Sequence, residues 1–215
     1  MKDIPMFTTQ FGIASLSLHQ IPYRGEAYIR LQATEQPAAL LEECVSFCRA
    51  CGAQRILATG QAVVEQYPLY TAVVQLCCPV DSLPRTDAAL FPVLPETLEN
   101  WRSIYNERMA NVPAASFMTE KDARTMLDTG DGYFVHRDGQ LLGIGKASGG
   151  KLEAIASVVP GGGRDVVLAL ASLPAEESLC VEVATANTKA IRLYESLGFT
   201  AVRELVRWYC IKEYA

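Results

Sequence analysis

The stretch that most limits what this chain can fold into runs from Leu179 to Phe199. Leu179-Cys-Val-Glu-Val-Ala184 is a short apolar run of the kind a buried strand carries. Asn187 stands where an N-cap belongs. Ala190, Leu193, Tyr194 and Leu197 follow at three- and four-residue spacings, which puts them on one helical face. Gly198 supplies the left-handed position that ends a helix, and Phe199 opens an extended segment. The unit is strand, helix, strand.

Upstream, residues from Phe11 to Leu18 alternate weakly and predict a strand, and Ala27 to Ala33 alternate well and predict another. Pro37 opens a helix at a position where its missing N–H costs nothing, and the helix runs to about Cys51 before Gly52. Arg55–Thr59 and Tyr70–Cys77 read as further strands. Residues 80–86, with Pro79 before them and Pro84 among them, read as a linker. The expected division is therefore 1–86 and 87–215.

Beyond the linker come a strand at Leu90–Leu94 and a helix carrying Leu98, Trp101, Tyr105 and Met109 as a stripe. Thr119 with Asp122 forms a capping-box pattern at the start of a second helix, which Gly130 ends. Strands at Tyr133–His136, Leu141–Ala147 and Lys151–Val159 are separated by turns at Asp138-Gly139 and Ser148-Gly-Gly150. A glycine run, Pro160-Gly-Gly-Gly163, leads into a helix from about Arg164 to Leu173, with Pro174 as its stop. The final segment, Phe199–Lys212, is short for two strands.

The pattern Asn187-x-x-Ala190-x-x-Leu193-Tyr194-x-x-x-Gly198-Phe199 resembles the C-terminal signature of the GCN5-related N-acetyltransferases (GNATs), and the element order from Leu90 onward is similar to theirs. The resemblance implies an α/β fold with a mixed, mostly antiparallel sheet flanked by helices. The N-terminal part, read as hairpin, helix, strand, strand, looks like a truncated copy of the same fold. It has Thr34-Glu-Gln-Pro37 where the C-terminal copy has glycines, so it offers no phosphate cradle.

By the same resemblance the protein would transfer an acetyl group from acetyl-CoA to a primary amine. Asn187, Ala190 and Tyr194 would face the coenzyme, and Tyr194 would protonate the departing thiolate. Ser157, Val158, Val159, Gly161, Gly162, Gly163, Arg164 and Asp165 would hold the pantetheine arm and pyrophosphate. Glycine N–H groups and a helix N-terminus suit an anion in such a loop. The loop departs from the family pattern: it is one residue short, Gly162 falls where the family has Gln or Arg, and Asp165 falls where it has Gly. A carboxylate beside a pyrophosphate would repel it by about 1 kcal/mol or more. Glu153 is the one carboxylate on the preceding strand and the candidate general base; a one-residue ambiguity in register leaves open whether it faces the site or solvent. The alternative is a non-catalytic protein on this fold that binds an acyl-CoA or a partner subunit.

The net charge of −5 argues against nucleic acid as a partner, which calls for a basic face. No apolar run is long enough to span a membrane, and the first residues lack the apolar core of a signal peptide, so a cytoplasmic location is expected. Seven cysteines, an odd number, fit a reducing compartment. Cys44, Cys48 and Cys51 share a helical face but have no further ligands at zinc spacing, so core packing is the expectation and no metal site is assigned. His19 and His136 read as strand residues. The expected partner is a small-molecule or peptide amine; a homodimer is compatible with the sequence.

Overall fold

The computed structural model describes residues 2–173 and 177–214. In chain order its elements are β1 (Ile4–Thr9), β2 (Gly12–Ser17), α1 (Ile21–Arg24), β3 (Glu26–Ala33), α2 (Pro37–Ala50), β4 (Arg55–Thr59), β5 (Leu69–Pro79), β6 (Ala89–Pro92), α3 (Leu98–Met109), α4 (Glu120–Thr129), β7 (Gly132–Arg137), β8 (Gln140–Ser148), β9 (Lys151–Ser157), α5 (Gly163–Ala171), β10 (Ser178–Ala184), α6 (Thr188–Ser196) and β11 (Thr200–Glu213). They form two compact units, Met1–Ala72 with Val206–Ala215, and Val73–Leu205. The expected boundary at 86/87 falls inside the second unit, because Val73–Pro79 pairs along β10 and Val80, Leu83 and Ala88 pack on that unit's core. Pro174, the expected helix stop, lies outside the described residues.

In the first unit β1, β2 and β3 form an antiparallel meander, α2 crosses over, and β4 returns parallel to β3. The far end of β11, Tyr209–Glu213, adds antiparallel to β4. Leu40, Leu41, Cys44 and Cys48 of α2 are buried against Ala14, Leu16, Ile29, Leu31 and Ile56. Burial pushes the Cys44 and Cys48 thiols up to about 12, as expected of thiols packed as small apolar groups. Glu26 is 2 % exposed and is held by Arg55 at 3.0 Å, Arg24 at 3.3 Å and the Tyr28 hydroxyl at 2.7 Å. A carboxylate that deep requires such donors. β1 was not legible in the sequence, and His19 sits in the turn after β2, where its Nδ1 meets Asp3 at 2.8 Å.

In the second unit β7, β8 and β9 form the same kind of meander, α5 crosses over, and β10 returns parallel to β9. β6 pairs antiparallel with β7, and Val73–Pro79 of β5 runs antiparallel along the whole of β10. Helices α5 and α6 pack on one face, burying Val166, Val167, Leu170, Tyr194 and Leu197 with Val181 and Val183. Helices α3 and α4 pack on the other, burying Trp101 and Met126 with Ile144, Ala154 and Ala156. The Thr119–Asp122 capping box forms as expected, and Gly130 ends α4 with φ 68°. The last segment, short for two strands, is a single strand of 14 residues.

The odd count of cysteines conceals one pair. Cys77 on β5 and Cys180 on β10 stand directly opposite in antiparallel register and form a disulfide, leaving Cys44, Cys48, Cys51, Cys78 and Cys210 as free thiols. Among the described residues no helix is long and apolar enough to cross a membrane.

Candidate functional site

The site begins with a fault in the sheet of the second unit. Parallel strands β9 and β10 pair at Lys151–Cys180 and Leu152–Val181, and among the described residues their register goes no further. Past that point Glu153–Ser157 and Glu182–Ala184 diverge, which leaves facing edges of backbone N–H and C=O groups without strand partners. On the β8 side β9 shifts register beside Glu153, between the pairs Lys146–Ala154 and Ala147–Leu152. An extra residue on one strand is a bulge, and a bulge bends its strand. The first unit shows the contrast. There the equivalent parallel pair is closed from Glu26–Arg55 through Arg30–Thr59. Gly60 continues that closure: a Cβ there would lie 2.2 Å from the Leu31 carbonyl oxygen, so the absence of a side chain allows the close approach.

Two adjoining cavities fill the opening in the second unit. The larger, about 620 Å³, is lined by Ser157, Val158, Val159, Pro160, Gly161, Gly163 and Arg164 of the β9–α5 segment, by Asn187, Lys189, Ala190, Leu193 and Tyr194, and by Arg108, Met109, Val112, Ile155 and Ala156. The smaller, about 370 Å³, is lined by Glu153, Glu182, Tyr105 and the loop Val112–Ser116, and shares Met109, Ile155, Asn187, Ala190 and Tyr194 with the first. Side chains from α3 on one face of the sheet and α6 on the other meet in the same space. They can do so only because the strands between them have parted.

Charge divides the cleft. Among the described residues the larger cavity carries Arg108, Arg164 and Lys189 and no carboxylate, and the smaller carries Glu153 and Glu182 and no cation on its wall. Arg164 lies in the first turn of α5 and Lys189 in the first turn of α6. A cation there opposes the helix dipole, and an anion beside it would offset that cost. The N–H groups of the first turn of α5 lack intrahelical partners by the geometry of any helix and are directed toward such an anion. Gly161 makes the turn into α5 with φ 80°.

Each residue singled out in the sequence can now be placed. Asn187 caps α6, its Oδ1 accepting from the Ala190 N–H at 3.2 Å, so its side-chain NH₂ is left for the cleft. Tyr194 is 5 % exposed, and burial pushes its phenol well above the ordinary range. It is therefore a protonated group on the wall of both cavities. Ser157 donates to the Val159 carbonyl at 2.5 Å and so shapes the turn. Gly162 is not on the cavity wall: its N–H donates to the Val159 carbonyl at 3.2 Å, and a Cβ there would meet Val159, Ser157 and Leu142.

Asp165 also departs from expectation. Two residues into α5, its side chain points away from the cleft, to Arg137 Nη1 at 3.0 Å and to the Thr86 hydroxyl, which donates at 3.2 Å. The anticipated repulsion of a pyrophosphate therefore does not arise from a side chain on the cavity wall. Glu153 does line the smaller cavity, but it is bound by Lys146, whose Nζ also lies 3.4 Å from Asp131. Burial alone would lower the Lys146 pKa; the hydrogen bond to Glu153 and the charges of Glu153 and Asp131 outweigh it and raise it. Sequence reading missed Arg108, Lys189 and Glu182. For Lys189 a signal existed, a cation in a first helical turn; for Arg108 and Glu182 there was none.

No protein-family model matches the sequence, and no curated protein matches it. Solved structures do. A GCN5-related N-acetyltransferase from Sphaerobacter thermophilus superposes with a TM-score of 0.59 over 94 % of this chain and 78 % of its own, at 12 % identity. A GCN5-related N-acetyltransferase from Kribbella flavida does so with 0.58 over 96 % and 90 %, at 14 % identity. A tandem GNAT protein from the clavulanic acid biosynthesis pathway gives 0.52 over 92 % and 78 %, at 15 % identity. This chain has the GNAT fold, and its first unit is a partial second copy of it.

Proposed function

We propose that the protein is an N-acetyltransferase that moves an acetyl group from acetyl-CoA to a primary amine bearing positive charge. The observation that carries this reading is the polarity of the parted-strand cleft: Arg108, Arg164 and Lys189 at one end, Glu153 and Glu182 at the other, and Tyr194 where the two cavities join. One end suits a polyanion and the other an amine.

The residues present fit coenzyme A. Arg164, Lys189 and the free N–H groups at the start of α5 would take phosphate oxygens, a use to which guanidinium and backbone N–H are suited. The unpaired edge of β9 beyond Glu153 would take the amides of the pantetheine arm. Acetyl-CoA supplies the acyl group as a thioester. Tyr194 holds a proton at its hydroxyl for the departing sulfur, as a positioned general acid does. Tyr105 and the loop Val112–Ser116 line the acceptor end. A cytoplasmic setting remains part of this proposal from the sequence reading, although the Cys77–Cys180 disulfide counts against the reducing compartment inferred from the odd cysteine count; a homodimer is compatible with the sequence and nothing more. The rival reading, a binder without turnover, drew its support from Asp165 and the short loop; with Asp165 paired to Arg137, half of that support is gone.

Calorimetric titration with acetyl-CoA, alongside coenzyme A release from a panel of diamines and basic peptides, tests the proposal. Micromolar binding with turnover is expected. In Tyr194→Phe, kcat should fall about 100-fold or more while acetyl-CoA affinity stays within about twofold. Binding without turnover on any cationic amine would favour the binder.

A further inference from the structure

We infer that the Cys77–Cys180 bridge is a modification site, at which a small aminothiol exchanges onto Cys180 and closes the acceptor end of the cleft. The bridge enters no step of the reaction proposed above, yet it opens on the space next to the amine. Leu179, Val181 and Val183 turn into the core beneath α5 and α6, so Cys180 and Glu182 share the opposite face of β10. There Cys180 lines a cavity of about 250 Å³ together with Lys151, Glu153 and Glu182. That cavity shares Leu152, Glu153, Val181 and Glu182 with the acceptor cavity, so the two adjoin. Both cysteines of the bridge are half-buried, but Cys180 stands on the cavity wall and Cys77 does not. A thiol entering from the acceptor side therefore meets the Cys180 sulfur.

The charges on that wall select the ligand. Lys151 is the β9 residue opposite Cys180, and the Cys180 N–H donates to the Gly150 carbonyl at 2.8 Å, so the two residues stand side by side. A cation there favours the thiolate, which is the species that attacks a disulfide. Glu182 lies two residues along β10, roughly 6–7 Å away at the rise of a strand. Glu153 weighs less, because Lys146 already meets its charge. An entering ligand thus finds positive charge beside the sulfur and negative charge one short chain beyond it. A thiolate with an ammonium tail matches that order; a thiol with a carboxylate tail would set like charge against Glu182. The neighbouring thiol does not compete. Cys78 points into the core beneath α5 and α6, where burial pushes it up to about 11.

The exchange balances without an outside oxidant or reductant. The aminothiolate attacks Cys180 Sγ, a new S–S bond forms to the ligand, and the Cys77–Cys180 bond breaks. Its electron pair leaves on Cys77 Sγ, which takes a proton from solvent. The pairs Leu179–Cys78 and Val181–Leu76 on either side keep the freed Cys77 thiol opposite Cys180. Return attack by Cys77 on Cys180 Sγ expels the ligand and restores the bridge, so the modification is reversible. While it lasts, the ligand chain lies along β10 toward Glu182, in the place an acceptor would take. That effect on turnover rests on the transferase reading; the exchange itself does not.

The test treats native protein with cysteamine, or with the anionic thiol thioglycolate, in the absence of oxygen, followed by acid quench, intact mass and peptide mapping. Free cysteines do not couple to a thiol under these conditions, so any adduct comes from the bridge. Each yield is taken relative to that of the same thiol with the urea-unfolded chain, which removes differences in intrinsic reactivity. One adduct per chain is expected, on Cys180, favoured about fivefold or more for cysteamine, and the preference should fall below about twofold in Glu182→Gln. Freed of excess thiol, the adduct should turn over other amines at least about tenfold more slowly while binding acetyl-CoA within about twofold, and a neutral dithiol should restore the rate. No adduct on the folded chain, an adduct on Cys77, equal relative yields from the two thiols, or full turnover with Cys180 modified would each overturn the inference. Protein that takes cysteamine on Cys180 with the expected preference, but neither binds acetyl-CoA nor turns over any amine, would sink the transferase reading and leave the exchange site standing.

Discussion

Asp165 shows how little a residue's type says until its direction is known. In sequence it stands beside a glycine run and threatens any phosphate there. In the fold it is the second residue after the first of α5, and that step around the helix carries it to Arg137 and Thr86. Asp165→Asn should therefore change the acetyl-CoA dissociation constant by less than about twofold in calorimetry. Its cost in stability should stay near or below about 1 kcal/mol, because the ion pair is partly open to solvent. Arg164→Ala should weaken binding about tenfold, the equivalent of about 1.4 kcal/mol for a lost charged contact to phosphate. The opposite ranking would mean that α5 does not present its first turn to the ligand. Lys146 adds a pH effect of known sign. Its pKa is raised in the fold from an ordinary 10.5, so the stability it lends is complete below that pH and is lost as the solution becomes more alkaline.

At the scale of elements, the helices that place the site depend on a few large side chains. Trp101 of α3 is fully buried, donates its indole N–H to the Tyr133 carbonyl at 3.0 Å and stacks on Tyr105 at 5.7 Å. Trp101→Ala should cost about 3–5 kcal/mol in denaturant unfolding, with α3 and its Tyr105 and Arg108 displaced from the cleft. Much of this level was legible beforehand. The stripe Leu98, Trp101, Tyr105, Met109 announced α3, the Thr119–Asp122 pair announced α4, and Asn187 with Gly198 bracketed α6, because caps and periodicity are local. What was not legible was long-range. No residue near Glu153 or Glu182 marks where β9 and β10 part; that the strand before the glycine loop should leave its partner was implied only by the resemblance to the acetyltransferases. Nothing near Cys77 says that Cys180 stands across from it. Periodicity within a segment carries no record of the segment's neighbours, and the cleft is made entirely of neighbours.

At the scale of the molecule the two copies have diverged in one respect above others. One keeps its parallel pair closed and follows β4 with a single turn of 3-10 helix at Ala62–Gln66; the other leaves the pair open and follows β10 with α6. Each unit's sheet also includes a strand from the distant end of the sequence. β5, from the N-terminal half, flanks β10, and the end of β11 flanks β4. The Cys77–Cys180 bridge fastens the first of these across 103 residues, and thiol titration under denaturing conditions should find five reactive groups before reduction and seven after. A loop of that length makes the bridge worth about 4–5 kcal/mol in the chain-entropy account, which Cys180→Ser would forfeit. The exchange of strands also has a consequence in time. During synthesis β4 is complete roughly 150 residues before Tyr209 appears, an interval of roughly ten to thirty seconds at ribosomal speed. Through that interval the nascent chain carries an open β edge, the feature most prone to pair with a stranger. A ribosome that stalls before Tyr209 would thus release a chain in which the edge of β4 that β11 covers is left open.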